Sequence, residues 1–514
     1  MPNHLFDQIT QRMPAANAPF AHLPDGRNFS YADVLAVSAR FANAITGLGV
    51  VKGDRVAVQV EKSIEALMLY LACVRAGAIF LPLNTAYTPA EIEYFLGDAE
   101  PALFVCDPSK AEALRPAAAK AGAKLETLGE RESVEKSAGS LMDKALAASA
   151  TFSDVDCGAD DLAAILYTSG TTGRSKGAML SHENLASNAR ALVETWRFTS
   201  RDVLIHALPI FHTHGLFVAT NVILFSGASM HFLPRFDPAQ ALSLMQKATT
   251  MMGVPTFYVR LVDHPGLTKE ATAKMRLFIS GSAPLLAETH RAFEAKTGHA
   301  ILERYGMTET NMNTSNPYEG AENGSRIAGT VGFPLPGVAL RITDPETGSP
   351  LAAGEIGMIE VKGPNVFKGY WRNPEKTAAE FRADGFFITG DLGKRDARGY
   401  VHILGRGKDL IITGGYNVYP KEIEGEIDAM PGVNESAVIG LPHKDFGEGV
   451  TAVVVPVKGA ELSEKAILSA LEGRLAKFKQ PKRVLVVEEL PRNTMGKVQK
   501  NVLRDTYREL YKAG

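Results

Sequence analysis

Cysteine is scarce and scattered. Cys73, Cys106 and Cys157 are odd in number, far apart and form no CxxC pair, which excludes a disulfide framework and fits a reducing compartment. Charge of one sign is missing as well. Fifty-five Lys and Arg meet 57 Asp and Glu, for a formal net charge of -2. Without a basic field, nucleic acid and acidic membrane surfaces are not expected partners. Long apolar runs are absent too. The richest early stretch, Ile64 to Val74, stops at Arg75 and Gly77, short of the roughly 20 residues that cross a bilayer. It predicts a buried core helix. The opening MPNHLFDQITQRMPAANAPF lacks a basic region followed by an apolar stretch, so no leader is expected and the default location is cytoplasmic. No fixed-period repeat or low-complexity tract is present, and residues 132–150 form the weakest segment, a surface helix or loop.

What remains is the composition of a large soluble protein. The 514 residues are 45% hydrophobic and 22% charged, enough for two or more domains with a sizeable core. Strand and helix patterns alternate: a strand over Asp54 to Val60, the Ile64 helix, a strand over Ala78 to Leu83, a helix capped by Thr88 and opened by Pro89, then a strand over Ala102 to Cys106. Such alternation predicts parallel sheets covered by helices. The glycine-rich, charged GRGKDLIITGGYN suits a hinge near Gly405. After it come a helix over Lys421 to Ile427, strands near Ala437–Leu441, Ala452–Val457 and Arg483–Val487, and a helix from Ser463 with apolar residues out to Phe478. The expected fold is a large α/β domain of layered sheets and helices over residues 1–405, a hinge at 406–408, and a small α+β lid over 409–514.

One stretch carries distinctive chemistry. A short strand over Ala163 to Tyr167 feeds Thr168, Ser169, Gly170, Thr171, Thr172 and Gly173, then Arg174, Lys176 and Gly177. Small residues let successive backbone N–H groups converge on an anion, hydroxyls add donors, and Lys176 adds charge. This is a polyphosphate cradle. It is not the GxxxxGK[ST] loop of P-loop enzymes, because Ser175 stands five residues after Gly170 and Gly177 follows Lys176.

YTSGTTGRSKG resembles the signature loop of adenylate-forming enzymes, the superfamily of acyl-CoA synthetases, luciferases and peptide-synthetase adenylation domains. The other motifs follow in that superfamily's order through the whole chain. The resemblance implies an ATP-dependent acid–thiol ligase that forms an acyl-adenylate, releases pyrophosphate and passes the acyl group to coenzyme A, with Mg²⁺ as the metal. Thr168 through Gly173 and Lys176 would hold phosphates. In ERYGMTET, Arg304, Tyr305, Gly306 and Met307 would line the nucleotide pocket, with Tyr305 on adenine, Thr308 on the α-phosphate and Glu309 on Mg²⁺. Taken alone, that octapeptide reads equally as a strand end followed by a helix cap. Ser282, Ala283 and Pro284 in SGSAPL would line the same pocket. Asp391 in FITGDLG would grip the ribose, and Arg406 would contact ribose or phosphate. Lys408 would be the hinge, and Lys497 in PRNTMGKVQK the catalytic lysine, offsetting charge as the acid attacks. Gly414, Gly415 and Tyr416 would line the channel for coenzyme A.

PIFHTHG offers His212 and His214, with His206 upstream. In a strand both rings of the pair would share a face, but no third ligand follows at a metal-site spacing. The resemblance makes His212 a gate beside the acyl and thiol tunnels. GVPTFYVRL, YGMTETNMNTSNPYEG and RIAGTVGFPLPGV further resemble malonyl-CoA synthetases, which implies a small dicarboxylate, malonate or methylmalonate. Its second carboxylate needs a buried cation. Arg260 is the candidate, because arginine grips a carboxylate with two parallel bonds. Arg276 and Arg235 are weaker candidates, and Ser282 and Met307 shape the pocket's small end. Other readings stay open: a ligase for another short or medium-chain acid, a stand-alone adenylation domain loading a carrier protein, or a nucleotide-binding sensor. No carrier segment follows Lys497, which favours a diffusible thiol. Oligomeric state is not encoded legibly.

Overall fold

The computed structural model describes residues 3–129, 138–168, 175–319, 325–413, 416–443, 446–472, 474–475, 477–493 and 496–511. Two large sheets form the first part of the chain. One has six strands in the order Lys124–Thr127, Leu103–Cys106, Arg55–Gln59, Ile79–Pro82, Leu162–Thr168 and Lys176–Ser181. The first five run parallel and the last returns as a hairpin. The other has nine strands, with Leu302–Met307, Leu277–Ser280, Thr250–Gly253 and Val203–His206 as parallel neighbours at its centre.

The helix Ile64–Ala76 shows how the sequence positions these layers. Ser63 caps it by accepting from the Ala66 N–H, and Gly77 ends it at φ 68, where a residue without Cβ is at ease. Every residue between is buried. A helix apolar on all sides belongs inside a layered core, and one continuous apolar cluster joins it to Val56 and Val58 of the six-stranded sheet and to Leu204 and Met230 of the nine-stranded one. The expected Thr88 cap is present as a reciprocal box with Glu91 at the start of Pro89–Ala99.

A four-stranded antiparallel sheet, Ala339–Thr343 through Val401–Arg406, follows. It ends at Arg406. A short 3₁₀ turn, Gly407–Asp409, leads into a five-stranded sheet that begins at Ile411 and holds its own core of Ile423, Ile427, Val438, Val450, Val454 and Leu471. The helix expected to run to Phe478 is shorter. It spans Glu464–Leu471, because Glu472 leaves the helical region at ψ 129; Leu475 and Phe478 pack on the core from beyond its end. No helix among the described residues is long and apolar enough to cross a membrane.

Candidate active site

The hairpin Leu162–Thr168 and Lys176–Ser181 pairs Thr168 with Lys176 at the end nearest its connecting loop. Ser169, Gly170, Thr171, Thr172 and Gly173 lie outside the described residues. Their strand anchors are fixed from behind. Trp371 N–H donates to the Gly177 carbonyl at 2.7 Å, and a Cβ on Gly177 would lie 2.8 Å from the Ile165 side chain. Lys176 Nζ stands 5.3 Å from the Tyr370 ring centroid. The Tyr370 hydroxyl in turn lies between two carboxylates, 3.2 Å from Glu309 Oε1 and 2.5 Å from Glu380 Oε2. A phenol has one proton to donate, so both cannot be satisfied by it at once. Burial raises the Glu309 carboxyl above the usual carboxylate range, its hydrogen bonds offsetting part of that.

ERYGMTET is a strand end, as one reading of the octapeptide has it, but a second strand follows its turn and not a helix. The strand Leu302–Met307 turns through Thr308–Thr310 and returns as Asn311–Ser315, with a register shift between Tyr305 and Gly306. Only glycine fits at 306: a Cβ there would sit 1.9 Å from the Asn311 carbonyl oxygen. The tight bulge aims Tyr305 at the adjoining four-stranded sheet, where its hydroxyl donates to Asp391 Oδ2 at 2.5 Å. Asp391 is buried, and its other oxygen pairs with Arg406 Nε at 2.9 Å across neighbouring strands. Thr389 braces both partners, its hydroxyl accepting from the Asp391 N–H and its carbonyl from Arg406 Nη1. Asp391 is the leading reason that the Arg406 guanidinium is held above its already high range.

Next to this polar cluster lies a second, buried one. Arg304 is 4% exposed, and its Nε and Nη2 have no hydrogen-bond partner among the described residues. Burial pulls its pKa down to about 9. Its guanidinium packs against Gly281, where a Cβ would lie 2.3 Å from Cζ. The neighbouring Ser282 takes a left-handed φ of 73, uncommon for a residue with a side chain. Its hydroxyl is 3.1 Å from His214 Nδ1. Ala283 is half-buried and Pro284 exposed; Met307 and Thr308 are half-buried at the hairpin tip. The HTH segment is not a strand: it enters a π-helical turn, His214–Thr220, a form that recurs at functional sites. His214 N–H faces His212 Nδ1 at 3.4 Å. Burial, with the Arg304 charge adding to it, pushes His212 down to about 4, so the ring is neutral at pH 7.

Arg260 stands apart from this cluster. It is exposed near the end of the helix Pro255–Val262, 5.2 Å over the Phe236 ring, and lines a surface cavity of about 690 Å³ that also contains Arg235. Arg276 is occupied by Asp202 at 2.7 Å. The cation brought beside Ser282 and His212 is Arg304, which the motif resemblance assigns to the nucleotide. Tyr370, Glu380 and Thr389 carry no sequence signal, since 61 residues separate Tyr370 from Glu309.

The C-terminal part reaches the same place. Asn493 and Lys497 exchange two hydrogen bonds around a tight turn, with Gly496 at φ 73. That turn rests on the large domain: a Cβ on Gly496 would lie 3.2 Å from Thr256 Cγ2, in the first turn of the helix Pro255–Val262. Lys497 keeps an accessible side chain, yet its ammonium is held below the ordinary lysine range by desolvation and then by Arg406, with Asp391 pulling the other way. Lys408 is exposed in the 3₁₀ turn. Gly414 and Gly415 lie outside the described residues, and Tyr416 is exposed, stacked on Phe478 at 4.7 Å.

Comparison with known proteins fits these two halves. Malonate–CoA ligase from Arabidopsis thaliana is 35% identical over 98% of this chain and 90% of its own. The ATP-bound crystal structure of MatB from Rhodopseudomonas palustris is 65% identical, covers 99% of this chain and 100% of that one, and superposes with a TM-score of 0.96. The apo structure of the same protein gives 0.85 at the same coverage. The arrangement of this chain is therefore nearer the nucleotide-bound one. Residues 6–371 match the model of the AMP-binding enzymes and residues 422–497 that of their C-terminal domain, and the chain belongs to this AMP-binding, adenylate-forming enzyme family.

Proposed function

We propose that this chain is an AMP-forming ligase that joins malonate to coenzyme A through a malonyl-adenylate. The observation that carries the choice of acid is Arg304. A buried guanidinium with two unpaired N–H donors is costly, and a carboxylate accepting both in parallel offsets that cost. An apolar acyl chain in the same place would leave the donors orphaned. Arg260 is the second cation proposed for the acid, at the outer wall of its helix. The similar malonate–CoA ligase and MatB support the same reading.

The steps follow from the residues. Tyr305, Asp391 and Arg406 take the nucleoside, with Asp391 Oδ2 exchanging the Tyr305 hydroxyl for ribose hydroxyls. Thr168 through Gly173, Lys176 and Thr308 hold the phosphates. A carboxylate oxygen of the acid attacks the α-phosphorus in line, the bond to the bridging oxygen breaks, and pyrophosphate leaves. Lys497 steadies the charge gathering between acid and phosphate, a matter of placement and electrostatics. Glu309 would hold Mg²⁺: a buried carboxylate that shares one phenolic proton with Glu380 suits a hard cation, which when bound neutralises phosphate charge. Rotation about Lys408 then withdraws Lys497 and presents the segment Gly414, Gly415 and Tyr416. The thiolate of coenzyme A attacks the acyl carbonyl past neutral His212, and AMP departs.

The test is a thioester assay with ATP and coenzyme A across acetate, malonate, methylmalonate, succinate and octanoate, on the wild type and Arg304→Met. Malonate is expected to lead, and the variant to lose roughly 30-fold or more in kcat/KM for it, the scale of a broken buried charge pair. Octanoate ahead of malonate in the wild type would sink the dicarboxylate assignment.

A further inference from the structure

Lys62 is a basic side chain that the proposed reaction does not use. It immediately precedes Ser63, the cap of the fully buried helix Ile64–Ala76. Its Nζ lies 2.9 Å from the His206 carbonyl oxygen, 3.1 Å from His206 Nδ1, and 4.3 Å from the Phe232 ring centroid. Burial holds the Lys62 amine well below the ordinary lysine range, and with or without its last proton Nζ keeps N–H donors for the carbonyl and the imidazole nitrogen, with the aromatic face beside them. Facing a donor, Nδ1 must be the acceptor, so the His206 proton sits on Nε2. That N–H is 2.9 Å from the Gly215 carbonyl oxygen, which also accepts from Thr220 Oγ1 at 3.0 Å.

Gly215 belongs to the π-helical turn that begins at His214. The fold there leaves no slack, since a Cβ on Gly215 would lie 2.1 Å from the Pro209 carbonyl oxygen. His214 then bonds Ser282, and Ser282 follows the glycine on which Arg304 lies. A continuous set of contacts thus runs from Lys62 through His206 and the π-turn to the guanidinium proposed to hold the acid. We infer that Lys62 is a positioning residue for the acid site: it fixes the His206 tautomer, which pins the π-turn and with it His212, His214 and Ser282 around Arg304. The inference rests on the reading of Arg304 as the acid's anchor. Burial also keeps His206 well below the ordinary histidine range, with Lys62 adding to the effect, so the ring stays a neutral donor to Gly215.

Steady-state kinetics of Lys62→Met and Lys62→Arg test this, with KM for malonate and for ATP measured separately and melting temperature in parallel. Loosening a pocket by a fraction of an ångström is expected to raise the malonate KM about tenfold in Lys62→Met, with the ATP KM unchanged. Lys62→Arg, which keeps donors for the carbonyl and Nδ1, is expected to recover most of the loss. Equal rises in both KM values, an unchanged malonate KM, or no recovery with arginine in a variant that melts like the wild type would each overturn the inference. If Lys62→Met does not fold, failure of Lys62→Arg to keep a near-normal malonate KM decides against it. Arg304→Met with an undisturbed malonate KM would instead overturn the anchor itself.

Discussion

At the scale of the residue, protonation decides what the pocket proposed for the acid offers. His212 is neutral at working pH because transfer of an imidazolium into this enclosure is unfavourable, the more so beside Arg304. The shift is also a stability statement. The ring takes a proton near 6.5 in the unfolded chain and near 4 in the folded one. Between those values the unfolded state binds the proton and the folded state does not, so this contribution is complete above pH 6.5 and is lost as pH falls toward 4. His182 and His231, both also pushed down to about 4 by burial, act in the same direction. Asp428, raised to about 6 by burial, acts against them, so the total slope does not isolate any one group. The difference between wild type and His212→Asn does. Urea midpoints measured from about pH 8 to about pH 4.5 are expected to show wild type losing ground to the variant below pH 6.5. A difference constant across that range would contradict a neutral buried ring.

At the scale of the element, the site depends on turns that leave no room for side-chain carbon. Gly306 is the clearest. Its bulge turns the strand Leu302–Met307 so that Tyr305 meets Asp391, while Arg304, one residue back, lies against Gly281 where the acid is proposed to bind. Gly306→Ala must push a Cβ away from the Asn311 carbonyl, and is expected to cost about 3 kcal/mol of stability as well as activity, measurable by denaturant titration. A variant of near wild-type stability would show that the hairpin yields easily and does not set the aim of Tyr305.

Elements of this kind are partly legible in the sequence. The Ile64–Ala76 helix and the Thr88–Glu91 cap follow from local pattern alone, because apolar spacing and capping chemistry act within a few residues. The strand that leads into the glycine-rich loop after Thr168 can be placed for the same reason. Pairing across distance is not legible. Tyr370 and Glu380 meet Glu309 only through the fold. The HTH spacing fits a strand as well as the π-turn that forms, since a histidine pair does not reveal a local widening of the helix. Arginine identity is equally opaque: Arg260, Arg276 and Arg304 are alike in sequence, and burial, ion pairing and exposure separate them only in three dimensions.

At the scale of the whole molecule, the proposed reaction makes the seat of the C-terminal turn the feature that sets the chain for one half or the other. The Gly496 contact with Thr256 brings Lys497 within electrostatic reach of Arg406 and Asp391, and the overall arrangement is nearer to an ATP-bound relative than to its apo form. One lysine, carried in the turn before the helix Lys500–Thr506, would serve the first half of the proposed reaction and leave for the second. The most direct measurement compares Lys497→Ala with wild type in the two half-reactions: pyrophosphate release from malonate and ATP, and thioester formation from supplied malonyl-adenylate and coenzyme A. Pyrophosphate release is expected to fall by about 10²–10³-fold or more, with thioester formation within a few-fold of wild type. Similar losses in both half-reactions by a folded variant, or none in the first, would contradict it.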